Sequence, residues 1–495
     1  MNYCFCLGRE QKIALAELES VLRRFCFDFE ELNLSLDGNC AIINIQNKYD
    51  DEVAGLIENL GGTLKIYKIV APGDNKLSNQ IASLIVDKFR GSKINFGISN
   101  YAGERLGQGL GASIKTNLKY RKVNSRYVKP KEGEILSSAE SWHNIIKKGG
   151  IEFGIITTTE LCHGKDTEES KSEYWISKHE TISNDKNSKK LRSYNLKAVG
   201  VLLAVSNPDE WAKKDFGKPR SDAKSGMMPP KLARALANIA CGQAMINNQD
   251  TITKQITNPN DQIQNDQCRS VDKISGSVSP IIFDPFCGSG NILIEALDMG
   301  FSVAGSDISE RAVEDTRANL EWLQNRQPLT VDRQPKEAPE AHEALEANKP
   351  RSYDLKAIDV LDAAKADFSK LLMIDDKRSS VNDQRSTVVV TEPYLGTPRK
   401  EKLSAEEAMR EIEKLKPLYL GFLENIYRQK DTINLKSICI VFPLFGLSNG
   451  KNMSLLKESI DEIRKIGYIV PCAPLKYGRE HQIVKREIIF LNPKS

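Results

Sequence analysis

The chain has 495 residues, of which 40% are hydrophobic, and its 70 basic residues nearly balance 66 acidic ones, which leaves a formal charge of +4. This length suffices for about three domains, and so small a charge does not by itself indicate a nucleic-acid partner. The sequence has no run of the roughly 18 apolar residues that a membrane span requires. No basic region precedes an apolar stretch after Met1, so we expect neither a membrane partner nor a secretory signal.

The cysteines indicate the compartment. Ten are present, and none shows the Cys-x-x-Cys spacing of a zinc site, which favours reduced thiols over a disulfide framework. The sequence therefore predicts a cytoplasmic protein without a metal site. Most of the cysteines, including Cys4 and Cys6 on one predicted strand, are expected to pack in cores.

The first 205 residues alternate short apolar runs with amphipathic helices. Residues 1–70 include the predicted helix Gln11–Phe25 and form a small α/β or α+β domain. Residues 75–205 form a second domain, and its patterns predict one helix and three strands: Ser78–Phe89, Lys93–Ile98, Ile151–Thr157 and Ala198–Ser206.

A basic strip lies within the second of these domains. From residue 115 to residue 131 the chain has no acidic residue, and Tyr120 and Tyr127 alternate with seven basic side chains: Lys115, Lys119, Arg121, Lys122, Arg126, Lys129 and Lys131. Basic and aromatic residues together are typical of RNA-binding surfaces, although a charge run is more often a solvated face. We expect phosphate contacts from Lys119, Arg121, Lys122 and Arg126.

Five stretches lack periodicity and are rich in polar residues, as linkers and surface insertions are. They are Gly164–Glu173, Ser183–Arg192, Asn247–Ser277, Asn325–Ser352 and Ile374–Ser386.

The run Ile281–Gly290 predicts the floor of a cofactor pocket, because an apolar strand leads into an acid and a tight glycine turn. A second apolar run ends at Asp307, where nucleoside-binding proteins place a carboxylate for ribose hydroxyls. A dinucleotide fingerprint requires a third glycine where Leu293 stands, and the lysine of a P-loop is missing. A nucleoside without phosphates remains, above all S-adenosylmethionine.

From Ile281 onward strands and helices alternate, which predicts a parallel, doubly wound α/β sheet. The expected strands are Ile281–Phe283, Ser302–Gly305, Leu355–Ile358, Thr387–Thr391, Ser437–Phe442, Ile469–Ala473 and Glu487–Leu491, with a basic loop Lys476–Arg486 before the last. Ligands of such sheets bind outside the carboxyl ends of the strands. Four acids fall there: Asp284, Asp307, Asp359 and Glu392. Asp359 is also a candidate helix cap.

The segment Thr391–Gly396 follows a core strand and has the residues that methylation of a base amine requires. The lone pair of such an amine is delocalised into the ring, and a carboxylate that accepts its hydrogens can turn the lone pair toward a methyl donor. Glu392 is the candidate acceptor, and the ring of Tyr394 can stack on the base. Pro393 completes the predicted catalytic set, unless the proline merely ends the strand.

Three motifs give the chain a family resemblance. The turn Asp284–Gly290, the segment Arg220–Ala233, and Leu7–Glu10 with Ala16–Glu19 resemble the THUMP-containing tRNA guanosine-10 N2-methyltransferases. Where that family usually has Asp-Pro-Pro-Tyr, this chain has Glu-Pro-Tyr-Leu at 392–395. The acid is therefore longer, and the aromatic residue comes one place earlier.

The resemblance implies a ferredoxin-like domain at 1–70, a THUMP-like RNA-binding domain at 75–205 and a class I methyltransferase domain at 210–495, with insertions near 247–277 and 325–352. It implies tRNA as the partner and S-adenosylmethionine as the cofactor. The expected cofactor-binding residues lie in the glycine turn and after the next two strands: Asp284, Phe286, Gly288, Gly290, Asp307, Ile308, Asp359 and Val360.

Three functions stay open. The favoured one is methylation of guanosine N2 in tRNA. The second is methylation of adenine N6 or of a ribosomal guanine, which uses the same chemistry. The third is RNA binding without turnover. Binding of S-adenosylmethionine distinguishes the two enzyme functions from some RNA-binding proteins without turnover. Nucleoside analysis of methylated RNA distinguishes the first enzyme function from the second.

Overall fold

The computed structural model describes residues 1–35, 38–46, 48–73, 76–88, 93–103, 105–106, 109–159, 195–221, 227–255, 279–326, 354–355, 385–397, 399, 401–479 and 482–494. These residues form two compact units, one within residues 1–212 and one within residues 213–495. In the described part of the chain, no helix is both long and apolar enough to cross a membrane.

The first unit is built on one mixed sheet. Its described strands are β1 Asn2–Leu7, β2 Asp28–Leu34, β3 Cys40–Gln46, β4 Thr63–Pro72, β5 Ile94–Tyr101, β6 Ser125–Val128, β7 Ile151–Thr159 and β8 Asn195–Val205. Its described helices are α1 Gln11–Arg24, α2 Asp50–Asn59, α3 Leu77–Lys88, α4 Leu110–Tyr120 and α5 Ser138–Asn144, and α6 Pro208–Phe216 follows.

The strand order in this sheet is β2-β3-β1-β4-β8-β7-β5-β6. Strands β4 and β8 pair antiparallel, with Lys65 opposite Val205, so strands from residues 1–72 and 94–205 share one sheet. The two domains predicted at 1–70 and 75–205 therefore lie in one unit. Their division into a ferredoxin-like and a THUMP-like domain stays a prediction.

Two strands of the first unit differ from those expected from the sequence: β5 is longer, and β6 is additional. Strand β5 continues beyond Ile98 because the polar side chains that follow are bonded inside the fold: the Ser99 hydroxyl donates to Glu152 Oε1 at 2.6 Å, and Asn100 donates to Glu134. Strand β6, within the basic strip, pairs parallel with β5. An apolar-run criterion misses the end of β5, where Ser99 and Asn100 are buried, and it misses β6, whose residues are half-buried or exposed.

The second unit contains the predicted doubly wound sheet. Its described strands are β9 Ile281–Asp284, β10 Ser302–Gly305, β11 Asp354–Leu355, β12 Thr387–Thr391, β13 Leu435–Gly446, β14 Asn452–Ser454, β15 Tyr468–Ile469, β16 Leu475–Tyr477 and β17 Val484–Pro493. Its described helices are α7 Pro230–Gln255, α8 Asn291–Asp298, α9 Glu310–Gln324, α10 Ala405–Arg428 and α11 Ile460–Ile466.

The main strand order is β11-β10-β9-β12-β13-β17-β15. Strands β11, β10, β9, β12 and β13 are parallel, and β17 is antiparallel to β13. Helices cover both faces of the sheet, as two residues of β13 show. Ile440 faces α10 and packs in a core with Phe422. Ser437 faces α7, and its hydroxyl donates to the Ala240 carbonyl at 3.0 Å. The predicted α/β class is confirmed. The order reverses between β9 and β12, and ligands of such sheets bind at that point.

Two expectations for this unit were wrong. The strand Ile469–Ala473 is replaced by the short strands β15 and β16, because Pro471 and Pro474 lack the backbone donors that a ladder needs. The predicted loop at Lys476 accordingly begins in β16. Residues 247–255, expected in a polar insertion, continue helix α7, since no glycine or proline interrupts residues 243–258. Residues 356–358 of the third expected strand lie outside the described residues.

Candidate functional site

The glycine turn joins β9 to α8 at the point where the strand order reverses. Gly288 and Gly290 both have positive φ, +52° and +83°, which side-chain-bearing residues rarely adopt. A Cβ on Gly290 would also lie 2.7 Å from the Thr316 methyl carbon. A Cβ on Gly288 would meet nothing within 4 Å among the described residues. The turn thus leaves open space directly above its backbone.

Asp307, after β10, is bound to this turn. Its Oδ2 accepts the Gly288 N–H at 2.9 Å, and its Oδ1 accepts the Ser309 N–H at 3.0 Å. A carboxylate offers about four acceptor positions, so these two bonds orient the group and leave acceptor capacity for a ligand. Ile308, the next residue, is 48% exposed.

Asp284 ends β9 and is buried beneath the turn. Its Oδ1 accepts the Thr391 hydroxyl at 2.7 Å and the Phe286 N–H at 3.2 Å. Burial raises the pKa of Asp284 to about 7, against these two hydrogen bonds, and the negative charges of Asp307 and Glu392 add to the increase. The bond from Thr391 ties the end of β9 to the end of β12.

Glu392, directly after β12, is held in a buried ion pair. Its Oε1 accepts Arg486 Nε at 2.9 Å and lies 2.9 Å from the second guanidinium nitrogen, and the two side chains are 13% and 6% exposed. The second carboxylate oxygen, Oε2, is buried and accepts no hydrogen bond from any described residue. Burial raises the pKa of the Glu392 carboxyl, although the charge and hydrogen bonds of Arg486 oppose this. One half of the carboxylate is thus fixed, and the other retains its full acceptor capacity.

The loop after Glu392 presents an aromatic ring to solvent. Tyr394 is 56% exposed, and its carbonyl accepts the hydroxyl of the buried Tyr419 at 3.1 Å. Pro393 is buried and Leu395 is half-buried. Phe286 is also half-buried, and its ring packs edge-on against Phe422, with centroids 5.3 Å apart. The loop backbone is therefore held from the core side while the Tyr394 ring stays accessible.

Side chains that the sequence did not indicate support the glycine turn. The Thr316 hydroxyl donates to the Gly288 carbonyl at 2.7 Å. Asn319 donates to the Ser289 carbonyl at 2.9 Å and to the Arg220 carbonyl at 2.8 Å. These bonds bring the start of the Arg220–Ala233 motif against the turn. Residues 222–226 of that motif, and the predicted cofactor residues Asp359 and Val360, lie outside the described residues.

The basic strip belongs to the first unit. Its seven basic side chains are exposed on α4, the following turn, β6 and the segment directly after β6, and Tyr120 is 83% exposed. Tyr127, by contrast, packs on Phe96 with ring centroids 5.3 Å apart. Arg121 donates to the Ser83 hydroxyl at 2.9 Å. The strip thus offers cations and one free-standing ring, and its second tyrosine serves the core.

Comparisons with known proteins agree with the chemistry of this site. Residues 276–360 match the model of a family described as RMKL-like, methyltransferase domain. A 40-residue stretch is 62% identical to the tRNA (guanine(10)-N2)-dimethyltransferase of Methanothermobacter thermautotrophicus, and it covers 8% of this chain and 12% of that protein. The chain thus matches about an eighth of this relative. The predicted resemblance to the tRNA guanosine-10 N2-methyltransferases is confirmed for this part of the chain.

Similarities to solved structures are weaker. The magnesium protoporphyrin IX methyltransferase of Synechocystis PCC 6803 is 11% identical, with 58% of this chain and 93% of that chain covered and a TM-score of 0.25. A human methyltransferase 10 domain containing protein is 11% identical, with 57% and 92% covered and a TM-score of 0.28. Scores this low support no conclusion about function.

Proposed function

We propose that this chain transfers a methyl group from S-adenosylmethionine to the exocyclic N2 amine of a guanosine in tRNA, at position 10. One observation carries the proposal: the strand order of the second unit brings the glycine turn, Asp307 and the half-free carboxylate of Glu392 to the same edge of one sheet. A nucleoside site and an amine acceptor at the carboxyl ends of neighbouring parallel strands are the two halves of an amine methyltransferase.

The residues present fit S-adenosylmethionine, which supplies an electrophilic methyl group on a sulfonium sulfur. The open space above Gly288 admits a ligand close to the backbone. Asp307 is oriented by Gly288 and Ser309 to accept ribose hydroxyls, and Phe286 and Ile308 provide apolar contacts. Asp284 holds the turn against Thr391. The buried Leu293 stands where a pyrophosphate-binding motif needs glycine, so a phosphate-free nucleoside fits better than a dinucleotide.

On the acceptor side, Glu392 Oε2 accepts a hydrogen of the target amine. This bond directs the nitrogen lone pair out of conjugation with the ring and toward the methyl group. Arg486 favours the ionised form of the carboxylate against the effect of burial on its pKa and fixes its orientation through Oε1. The exposed Tyr394 ring stacks on the base, as aromatic side chains do with flipped or single-stranded nucleotides. Pro393 stiffens the short link between the acceptor and this ring.

The name of the archaeal relative and the motif resemblance support tRNA as the substrate. Exposed cations on α4, the following turn and β6 support phosphate contacts by Lys119, Arg121, Lys122 and Arg126. The cysteine spacing supports a cytoplasmic location. A second candidate, an RNA-binding protein without turnover, is favoured by the Arg486 pair, which occupies one oxygen of the proposed acceptor.

The test is incubation of the full chain with labelled S-adenosylmethionine and total tRNA, followed by nucleoside analysis. We expect N2-methylguanosine or its dimethyl form at position 10. Glu392→Ala should lose about 10²-fold or more in turnover, on the order of 3 kcal/mol, and keep its affinity for both ligands, whereas Tyr394→Ala should lose less.

The matched control is Glu424→Ala, which removes an exposed acid from α10 of the same unit. Methylated adenine or rRNA would favour the second enzyme. Binding of cofactor and tRNA with no product would favour the silent binder. Wild-type turnover in Glu392→Ala would place the acceptor elsewhere.

A further inference from the structure

Three cysteines of the first unit converge in its core. Cys4 and Cys6 lie two positions apart on β1 and therefore share one face of the strand. Cys40 begins β3, directly opposite Cys6 in the antiparallel register. The sulfur atoms of Cys6 and Cys40 are 3.6 Å apart, and all three sulfur atoms lie within 4.8 Å of one another. Each residue is at most 2% exposed. We call these residues the thiol triad.

The surroundings of the thiol triad are mostly apolar. The triad packs in a core cluster with Ile42, Tyr67, Tyr101 and Ile156. Burial acts to raise the pKa of the Cys6 thiol, but hydrogen bonds from Cys4, Cys40 and Tyr101 and the charge of Lys65 lower it well below its usual value. Hydrogen bonds with Cys4 and Cys6, together with burial, raise the pKa of the Cys40 thiol well above its usual value.

The spacing of the sulfurs suits a metal ion. Metal–thiolate bonds are about 2.3 Å long in zinc sites, and an ion equidistant from three sulfurs at that length requires sulfur separations of roughly 3.8 to 4.0 Å. The Cys6–Cys40 sulfur separation is 3.6 Å, and no separation within the triad exceeds 4.8 Å. Adjustments of under about 1 Å, within reach of χ1 rotation, would close the site.

We propose that Cys4, Cys6 and Cys40 bind one soft metal ion through three thiolates, and that Cu(I) is the ion this donor set fits. Thiolates select Cu(I) and Zn(II) among the common ions, but structural zinc is almost always four-coordinate. Among the described residues, no histidine, carboxylate or fourth cysteine joins the triad. Each metal–sulfur bond replaces an S–H proton, so binding releases the protons of those thiols that are not already ionised.

Neither the chain's cysteine spacing nor the proposed methyl transfer implies this site. Its ligands come from strands β1 and β3. Because Cys6 and Cys40 are 34 positions apart in the sequence, no short sequence motif contains all three ligands. The site lies in the first unit, and its test does not depend on methyl transfer. Two other roles compete: simple packing of small apolar side chains, and a disulfide between Cys6 and Cys40.

The experiment uses the reduced full chain under anaerobic conditions, loaded in separate arms with Cu(I) and Zn(II), passed over a desalting column in the presence of a weak chelator and analysed for bound metal. We expect one equivalent of Cu(I) and less Zn(II). Cys40→Ala and Cys4→Ala should each lose at least tenfold in Cu(I) affinity. The matched control, Cys439→Ala, removes a fully buried cysteine of the second unit and should retain the metal.

X-ray absorption at the copper edge of the loaded wild type provides a readout that does not require the variants to fold. Three sulfur neighbours would support the site, and nitrogen or oxygen neighbours would overturn it. Absence of bound Cu(I), equal binding by Cys40→Ala, or preference for Zn(II) would also overturn the assignment. The assignment would also be overturned if mass spectrometry of protein isolated without reductant showed a Cys6–Cys40 disulfide, and if that disulfide resisted reduction.

Discussion

Replacing Arg486 by methionine should greatly reduce the proposed methyl transfer near neutral pH without unfolding the protein. Methionine keeps much of the length and the apolar stem of arginine but removes the guanidinium that binds Glu392 Oε1 through two nitrogens, both at 2.9 Å. Glu392 would then be a buried carboxylate without a cation beside it. Burial already raises the pKa of this group, and Arg486 opposes that effect, so the variant should ionise Glu392 only at higher pH.

The size of the effect follows from the burial of the pair, at 6% and 13% exposure. Removing one partner of a buried ion pair costs about 3 to 5 kcal/mol. The protein can avoid much of that cost by protonating the remaining acid, and at ~1.4 kcal/mol per tenfold change this lowers the ratio of ionised to protonated Glu392 by roughly 10²-fold or more. Turnover at pH 7 should fall by up to that factor, because the ionised acid is the stronger acceptor for the amine hydrogen.

The assay is a pH profile of kcat for tRNA methylation, together with calorimetric affinities for S-adenosylmethionine. In Arg486→Met, kcat should recover as the pH rises, while cofactor affinity stays close to wild type. The matched control is Arg479→Met, which removes an exposed cation from the connection between β16 and β17 and should leave the profile unchanged. Combining Arg486→Met with Glu392→Ala should cost little more than Glu392→Ala alone, since the two residues act as a unit.

An Arg486→Met profile that coincides with that of the wild type would refute the reasoning. A pH-independent loss that Arg479→Met shares would instead assign Arg486 to general attraction of RNA. In either case Glu392 would not depend on its ion pair for catalysis.

Three further predictions concern the cofactor, the RNA and the stability of the fold. Asp307→Ala should weaken S-adenosylmethionine binding roughly tenfold or more, because a charge-assisted hydrogen bond is worth about 1.5 to 3 kcal/mol; calorimetry with the exposed Glu314→Ala as control checks this, and equal affinity would exclude the ribose contact. Neutralising Arg121, Lys122 and Arg126 should reduce the slope of log binding constant against log salt concentration for tRNA by about 0.9 per lost contact. Neutralising the exposed Arg410, Lys414 and Arg428 of α10 should leave this slope unchanged. If the first set of changes also leaves the slope unchanged, the strip is a solvated face and does not contact phosphates. Burial raises the pKa of Asp284 to about 7 from 3.8. The folded state therefore binds this proton more tightly than the unfolded state, and the resulting contribution to the free energy of unfolding is full below the ordinary pKa and is lost as the pH rises to about 7. This contribution is on the order of 4 kcal/mol as an upper bound. Asp284→Asn, which mimics the protonated acid, should remove that part of the pH dependence in denaturant unfolding, and an unaltered dependence would contradict the raised pKa.

The sequence predicted well what is local. The apolar strand before Asp284 and the turn at Gly288 and Gly290 follow from residue types within one short run, and the structure has both. Strand β12 occupies the predicted range Thr387–Thr391. Hydrophobic pattern and glycine conformations decide such elements without help from the rest of the chain.

Contacts between distant segments could not be predicted in this way. Thr391 and Asp284 are 107 positions apart, and Arg486 and Glu392 are 94 apart. The basic loop containing Arg486 was visible in the sequence, but no periodicity states which acid it meets. The same holds for Cys40 opposite Cys6, which depends on the register of β1 and β3.

The length of the acid and the presence of Arg486 explain each other. Strands β12 and β17 are both neighbours of β13, so two strand spacings, about 9.6 Å in all, separate them. Only two long side chains can meet across that distance. An aspartate at 392 would end about 1.5 Å short and would stretch the 2.9 Å contacts with Arg486 beyond hydrogen-bond range. Glutamate at this position is therefore suited to a carboxylate held from the β17 side, with its second oxygen left for the proposed target amine.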